Sequence, residues 1–308
     1  MLVEERLYSR ILEKKKRLDA LRPFNEAIEE RLNENLIIEW TYNSNAIEGN
    51  TLNLKDTLIF LKFGTTAANK PIRDFYEAAN HRDAINYLFE LVRERRKLEE
   101  SDVRHFQALL TSKTLDEKYC GYYRDVHVGI RGDPSARFPS PREVPALMKK
   151  FVAYVKENPD KLNPVELGAV AHFRFVSIHP FVDGNGRTTR ILNNYLLMKA
   201  GFPPIVIKMR DRRRYFALIK KAHLTGDLKP FVNFIAREVY LELISYLMQT
   251  DPEFGDIISL KEATKYCDYG EEYLSLRARQ GKLYAVKIGG VWKTTKQAVL
   301  DYVKSVKR

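Results

Sequence analysis

The sequence predicts a mainly α protein: a helical bundle carrying one short β-hairpin, followed by a small helix-turn-helix unit with a hairpin wing. Three observations predict it. Apolar residues recur at spacings of three and four through most of residues 3–248. That rhythm lapses over Gly121–Pro141, where Val126, Val128 and Ile130 alternate with His127 and Gly129 ahead of a Gly132-Asp133-Pro134 turn. Composition shifts again over Gln249–Asp256, and shorter elements follow.

Taken in order, Val3–Leu21 is a Leu-, Lys- and Glu-rich helical stretch ended by Pro23. Asn25 is an N-cap candidate for a second helix over Glu26–Ile47, stopped by Glu48-Gly49-Asn50. Asp74–Arg95 reads as a third helix. Ser101-Asp102 opens a fourth, with Phe106, Leu109 and Leu110 on one face. After the hairpin, helices cover Arg142–Glu157 and, from the start signal Asn163-Pro164, run to about Val176. The stretch from His179 to Arg187 is too rich in Gly and Pro to read as helix. Helical spacing returns over Thr188–Ala200, then over Arg212–Leu224 and Leu228–Met248. Beyond the shift, Ser259-Leu260-Lys261-Glu262 is a capping box, Gly270–Arg279 a helix, Leu283–Thr294 a hairpin turning at Gly289-Gly290, and Thr295–Val303 a last helix. The domain reading is a helical N-terminal region over 1–100, a core over 101–248, a linker over 249–256 and a small domain over 257–308.

Composition narrows the function. Two cysteines, Cys120 and Cys267, make neither a disulfide framework nor a structural zinc site. The start, MLVEERLYSR, lacks the apolar stretch of a secretory signal, and no apolar run is long enough for a membrane span. The expectation is a cytoplasmic protein without a membrane partner. The net charge of +12 favours polyanions, whether ATP or nucleic acid.

The segment that carries chemistry is His179–Arg190. An EF-hand alignment with Gly184 at the sixth position puts His179, Phe181 and Arg190 at ligand positions, which excludes calcium. A Gly-Lys-Ser/Thr phosphate loop is absent from it. Gly184-Asn185-Gly186 instead leads into a helix, so backbone N–H groups at that N-terminus form an anion nest, with glycines allowing close approach. Arg187 and Arg190 stand three apart on the first turn and supply a cationic clamp. Asp183, at the mouth of the nest, is placed to hold Mg²⁺ beside phosphates, and His179 to take a proton from a hydroxyl. Base, metal ligand, nest and clamp are the parts that phosphoryl chemistry requires.

The stretch HPFVDGNGRTTR resembles the motif of the Fic family at every fixed position, and the flanking AHFRFVSI and ILNNYLLMKAGFPP resemble its neighbouring helices. The resemblance spans about residues 30–245. It implies a Fic-type helical bundle and transfer of AMP from ATP to a target Ser, Thr or Tyr hydroxyl. It implies His179 as base, Asp183 on Mg²⁺, and Gly184, Asn185 and Gly186 as the anion hole, with Arg187 and Arg190 on the distal phosphates and Phe181 as a core anchor. Ser44-Asn45-Ala46-Ile47-Glu48-Gly49 resembles the family's inhibitory motif, near 41–49, whose Glu pairs with the second arginine; here that is Glu48 with Arg190. A carboxylate there displaces the γ-phosphate. The hairpin with Val126, His127 and Val128 falls at the place of the family's target-holding flap, and Tyr215 is a candidate for the adenine pocket. The target is unnamed and self-modification stays open, as do a homodimer and the reverse reaction, AMP removal with help from Glu48.

Residues 256–308 carry eleven Lys/Arg and six Asp/Glu, net +5. Their pattern, with RQGKLYAVKIGGVWKTTKQAVLDYV, resembles the winged helix of excisionase-type proteins. Arg277, Arg279, Lys282, Lys287 and Lys293 could meet nucleic-acid phosphates. The alternative to an AMP-transferring enzyme is therefore a DNA-binding regulator with a nucleotide-sensing core.

Overall fold

Helix signals in the chain are strong and tertiary contacts use nearly all of them. The structure, a computed structural model, describes residues 1–129, 137–251, 254, 257–280, 282–288 and 291–306. Two compact units result, one of residues 1–9 and 29–239, the other of 10–28 and 240–308. The division falls inside the helices Glu5–Ala20, Glu26–Glu48 and Lys229–Thr250.

Helix α1 (Glu5–Ala20) is followed by α2 (Glu26–Glu48), α3 (Leu54–Phe63), α4 (Ile72–Arg93) and α5 (Glu100–Thr111). Asn25 caps α2 through its side-chain oxygen, which accepts the Ala27 N–H at 3.0 Å. Gly49, at φ +105°, ends it with a conformation that other residues resist. Helix α3 has no counterpart in the sequence reading; a capping box between Asn53 and Asp56 starts it and Gly64 stops it. The cap of α5 is Glu99, reciprocating with Asp102, rather than Ser101.

Helix α6 (Val144–Glu157) precedes α7 (Pro164–Ile178), whose cap Asn163 accepts from Val165 and Glu166. Next come α8 (Asn185–Lys199), α9 (Arg212–Thr225) and α10 (Lys229–Thr250). Every residue of α8 from Arg187 to Leu197 is buried. A helix with no exposed face lies inside its bundle, here against α4, α5 and α7. Its polar residues, Arg187 and Arg190 among them, therefore need partners within the protein.

The second unit holds an antiparallel three-stranded sheet in the order β1-β3-β2, with β1 (Ile257–Ser259), β2 (Val286–Ile288) and β3 (Val291–Thr295). Strands β2 and β3 are the expected hairpin, paired Val286 to Lys293 and Ile288 to Val291; their turn, 289–290, lies outside the described residues. Strand β1 is an addition to the sequence reading. Helices α11 (Leu260–Ala263), α12 (Glu271–Arg279) and α13 (Lys296–Val306) complete the unit. Leu260, Ala263, Leu274, Ala278, Leu283 and Val299 form its own apolar core, with Trp292 packed against it.

Candidate active site

The site is built where α7 ends and α8 begins. His179 closes α7 in the left-handed region, at φ 50° and ψ 61°, with its N–H donating to the Phe175 carbonyl at 3.0 Å. Phe181 turns inward and is fully buried against Phe175 and Tyr123. Asn185 then locks the loop from within. Its Oδ1 accepts the Phe181 N–H at 3.0 Å and its Nδ2 donates to the Phe181 carbonyl at 2.8 Å. The Asn185 side chain is thus committed to the loop, and only its backbone N–H is left for an anion. Helix α8 begins at Asn185, so Asn185, Gly186 and Arg187 are helical, against the sequence expectation; the signal that masked it is glycine content in a first turn, where N–H groups need no intrahelical acceptor.

Gly184 is required twice over. Its φ is +84°, and a Cβ there would stand 3.0 Å from Thr111 Cγ2 on α5. Gly186 makes room for a side chain instead: a Cβ on it would lie 2.2 Å from Glu48 Oε1 and 3.3 Å from Arg190 Nη1. A carboxylate oxygen therefore rests directly on the first turn of α8.

Ser44 and Glu48 are one turn apart on α2, which puts both on the face that meets Arg190. Arg190 Nε donates to Ser44 Oγ and its Nη2 to the Ser44 carbonyl, both at 2.9 Å. Nη2 also donates to Glu48 Oε1 at 2.8 Å. Burial opposes the charge on Arg190, but the Glu48 carboxylate and the Tyr215 hydroxyl outweigh it and raise its pKa. Nη1 of Arg190 is buried and has no hydrogen-bond partner among the described residues. One charged donor thus stands open beside the carboxylate on the nest.

Arg187 does not share that face. Its Nη2 lies 3.5 Å from Asp183 Oδ2 and its Nη1 3.9 Å from Glu77 Oε1. The two arginines, three residues apart on one buried helix, are drawn to different carboxylates. Asp183 also meets Arg73 of α4, with Nη2 at 3.6 Å. Its side chain is 39% exposed, enough for a cation to reach it from solvent. No cluster of three or more His, Cys, Asp or Glu ligands exists among the described residues. A single accessible carboxylate fits Mg²⁺ that arrives with phosphate oxygens, not a protein-caged ion.

The His179 imidazole stacks on Phe138, with centroids 4.3 Å apart. Burial lowers its pKa to about 4, against the upward pull of a hydrogen bond to the Val176 backbone. At neutral pH the ring is uncharged and able to accept a proton.

Arg124 is a positioning group that the sequence reading missed. Among the described residues its buried guanidinium donates to four carbonyls: His179 at 2.8 Å, Val126 at 3.1 Å, Pro139 at 2.6 Å and Ile178 at 3.5 Å. It ties both ends of the segment before and after 130–136 to the His179 loop. The signal was available only as a lone Arg before an acidic residue, which carries no pattern. The hairpin expected here is not seen among the described residues: Val126, His127 and Val128 are in no strand, and 130–136 lie outside the described residues. Arg124 takes the Val126 and Pro139 carbonyls.

Tyr215 is a core residue. It is 1% exposed, and its hydroxyl is hydrogen-bonded to His172 Nε2 at 2.7 Å. A cavity lined by Trp40, Ser44, His172, Arg190 and Asn193 measures about 10 Å³, about the room one water needs. In the second unit, Arg277 is held over the Tyr273 ring and donates to Gln280 Oε1 at 2.8 Å. Arg279 and Lys282 are exposed, Lys293 is half-buried, and the Lys287 side chain lies outside the described residues.

The site thus joins a glycine-lined helix N-terminus, a neutral histidine at the preceding helix end and an arginine held by Ser-x-x-x-Glu, all within a helical bundle. Residues 97–197 match the family model for the Fic/DOC family, and the chain contains a Fic/DOC domain. It is 32% identical over 232 residues to a protein adenylyltransferase Fic of Nematostella vectensis, covering 74% of this chain and 52% of that one. It is 34% identical over 250 residues to its namesake in Drosophila virilis, covering 81% and 50%. A Fic-domain-containing signalling protein from Bacteroides thetaiotaomicron superposes with a TM-score of 0.73 at 29% identity, over 78% of this chain and 97% of that one. The chain spans about half the length of the curated relatives it matches.

Proposed function

We propose that this protein transfers AMP from ATP to a hydroxyl group of a target protein, and that it rests in a self-inhibited form. The observation that carries the reading is the Glu48 carboxylate seated on Gly186 in the grip of Arg190, next to an unused Arg190 donor. A seat that accepts one carboxylate oxygen suits a phosphate oxygen on the same donors.

In this reading Arg190 and the first-turn N–H groups of α8 hold the polyphosphate once Glu48 has left. Mg²⁺, bound through Asp183, would neutralise phosphate charge. His179 takes the proton of the incoming Ser, Thr or Tyr hydroxyl. The oxygen bonds to the α-phosphorus, the bond from that phosphorus to the β-bridging oxygen breaks, and pyrophosphate leaves. While Glu48 occupies the seat, its charge repels the distal phosphate and Arg190 is unavailable to it, so ATP cannot line up for in-line attack.

The test uses labelled ATP with Mg²⁺ on wild type, Glu48→Gly and Glu48→Gly/His179→Ala. Transfer should rise strongly in the single variant and fall by about 10²–10⁴ in the double variant. A folded Glu48→Gly protein no more active than wild type would sink the self-inhibition. Undiminished transfer without His179 would remove it as the base.

For residues 257–306 we propose a winged-helix-type module that binds nucleic acid. Its support is the capped α11, the α12 helix and the β1-β3-β2 sheet around one small core, with exposed Arg279 and Lys282. Charge contacts of this kind weaken steeply with salt. A duplex-binding assay at two salt concentrations tests it; binding that is absent at low salt, or indifferent to salt, counts against the module.

A further inference from the structure

Gln107 lies on α5 and is fully buried. Its amide faces two ways. Oε1 accepts the Gly121 N–H at 2.5 Å, and Nε2 donates to the Asp183 carbonyl at 3.1 Å. Turning the amide over would set Nε2 against an N–H and Oε1 against a carbonyl, so its orientation is fixed.

In a trans peptide the carbonyl and the following N–H point in opposite directions. With the Asp183 carbonyl held toward α5, the Gly184 N–H must face away from it. It faces Asp183 Oδ1, at 2.6 Å. That hydrogen bond fixes the carboxylate and leaves Oδ2 for cations; Arg187 and Arg73 stand 3.5 and 3.6 Å from it. A flipped Asp183–Gly184 peptide would bring a carbonyl oxygen against Oδ1 and swing the carboxylate out of place. Thr111 Cγ2 and Gln107 Cγ press on the same glycine, 3.0 and 3.5 Å from where a Cβ would stand, so α5 supports this peptide by packing as well.

We propose that Gln107 is a positioning residue for Asp183: by gripping one peptide plane it presents the carboxylate to the cation that accompanies the nucleotide. The proposal rests on the assignment of Mg²⁺ to Asp183. Gln107→Glu isolates the effect, because it keeps the acceptor for Gly121 and replaces the donor to Asp183 with a second acceptor. Gln107→Met keeps the length and removes both.

The experiment uses the full chain carrying Glu48→Gly, in which the seat is free. Affinity for a non-hydrolysable ATP analogue is measured by calorimetry without Mg²⁺ and across a Mg²⁺ series, for Gln107, Gln107→Glu and Gln107→Met. The metal-free affinity should stay the same. The gain contributed by Mg²⁺ should fall by about 10–100-fold in both variants, the usual size of an outer-shell loss. A packing defect would instead weaken binding equally with and without metal, and that result overturns the proposal, as does a Mg²⁺ gain equal to the parent's. If Gln107→Glu does not fold, Gln107→Met decides. If the Glu48→Gly parent shows no Mg²⁺-dependent binding, the metal assignment fails first and this proposal falls with it.

Discussion

Replacing Gly186 by Ala separates two effects that replacing Glu48 combines. The new Cβ would stand 2.2 Å from Glu48 Oε1 and 3.0 Å from Glu48 Cδ. To restore ordinary contact the carboxylate must retreat by roughly 1 Å, and it can, being the far end of a flexible chain that is 34% exposed. That retreat breaks the 2.8 Å contact with Arg190. A hydrogen bond to a charged group contributes about 1.5–3 kcal/mol, so Glu48 should leave its place about 10- to 150-fold more readily. Glu48 removal alone should activate the protein. Gly186→Ala should not, because the methyl group that evicts the carboxylate also fills the place of the phosphate oxygen. Nucleotide binding by calorimetry, with labelled AMP transfer alongside, should rank Glu48→Gly high and both Gly186→Ala and the double variant low. If Gly186→Ala bound ATP and transferred AMP as Glu48→Gly does, the phosphate would not sit on this turn, and the inference from the Glu48 seat would be refuted.

Arg124→Met should leave four carbonyl oxygens without their donor and lower stability by about 2–4 kcal/mol, read by urea denaturation; a loss below 1 kcal/mol would mean those carbonyls find other partners. Burial lowers the His172 pKa to about 3, from an unfolded value near 6.5. The unfolded chain then binds the extra proton first as pH falls, so this stability is present above about pH 6.5 and is lost from there downward toward about pH 3. Between pH 7 and pH 5 His172 should account for about 2 kcal/mol of lost stability. Urea denaturation at both pH values should show a smaller drop in His172→Gln than in wild type; an equal drop would place the acid sensitivity elsewhere.

Local physics made most helices visible in advance. Asn163-Pro164, Gly49 and the Ser259–Glu262 capping box act on backbone groups within a few residues, and each starts or stops a helix as its chemistry requires. Helix α3 is only ten residues long; packing of Leu52 and Phe60 with Phe75 holds it in place. The expected hairpin turns within 130–136, outside the described residues; on either side of it Arg124 takes the Val126 and Pro139 carbonyls, a pairing that alternation in the sequence does not encode.

The candidate site divides along the same line. By itself the sequence determined the loop parts, because His179, Asp183, Gly184, Gly186 and Arg190 lie within one helix end and one helix start. It also determined that Ser44 and Glu48 share a helix face, since a spacing of four residues does so on any α-helix. Only the tertiary structure decided where the two arginines go: burial of α8 forces each to a nearby carboxylate, Arg187 to Asp183 and Glu77, Arg190 to Glu48. Only it revealed Gln107 and Arg124, which act on backbone groups far away in sequence. A hydrogen bond to a remote carbonyl leaves no period, spacing or composition in the chain, because its partner is present at every residue and is selected by the fold alone.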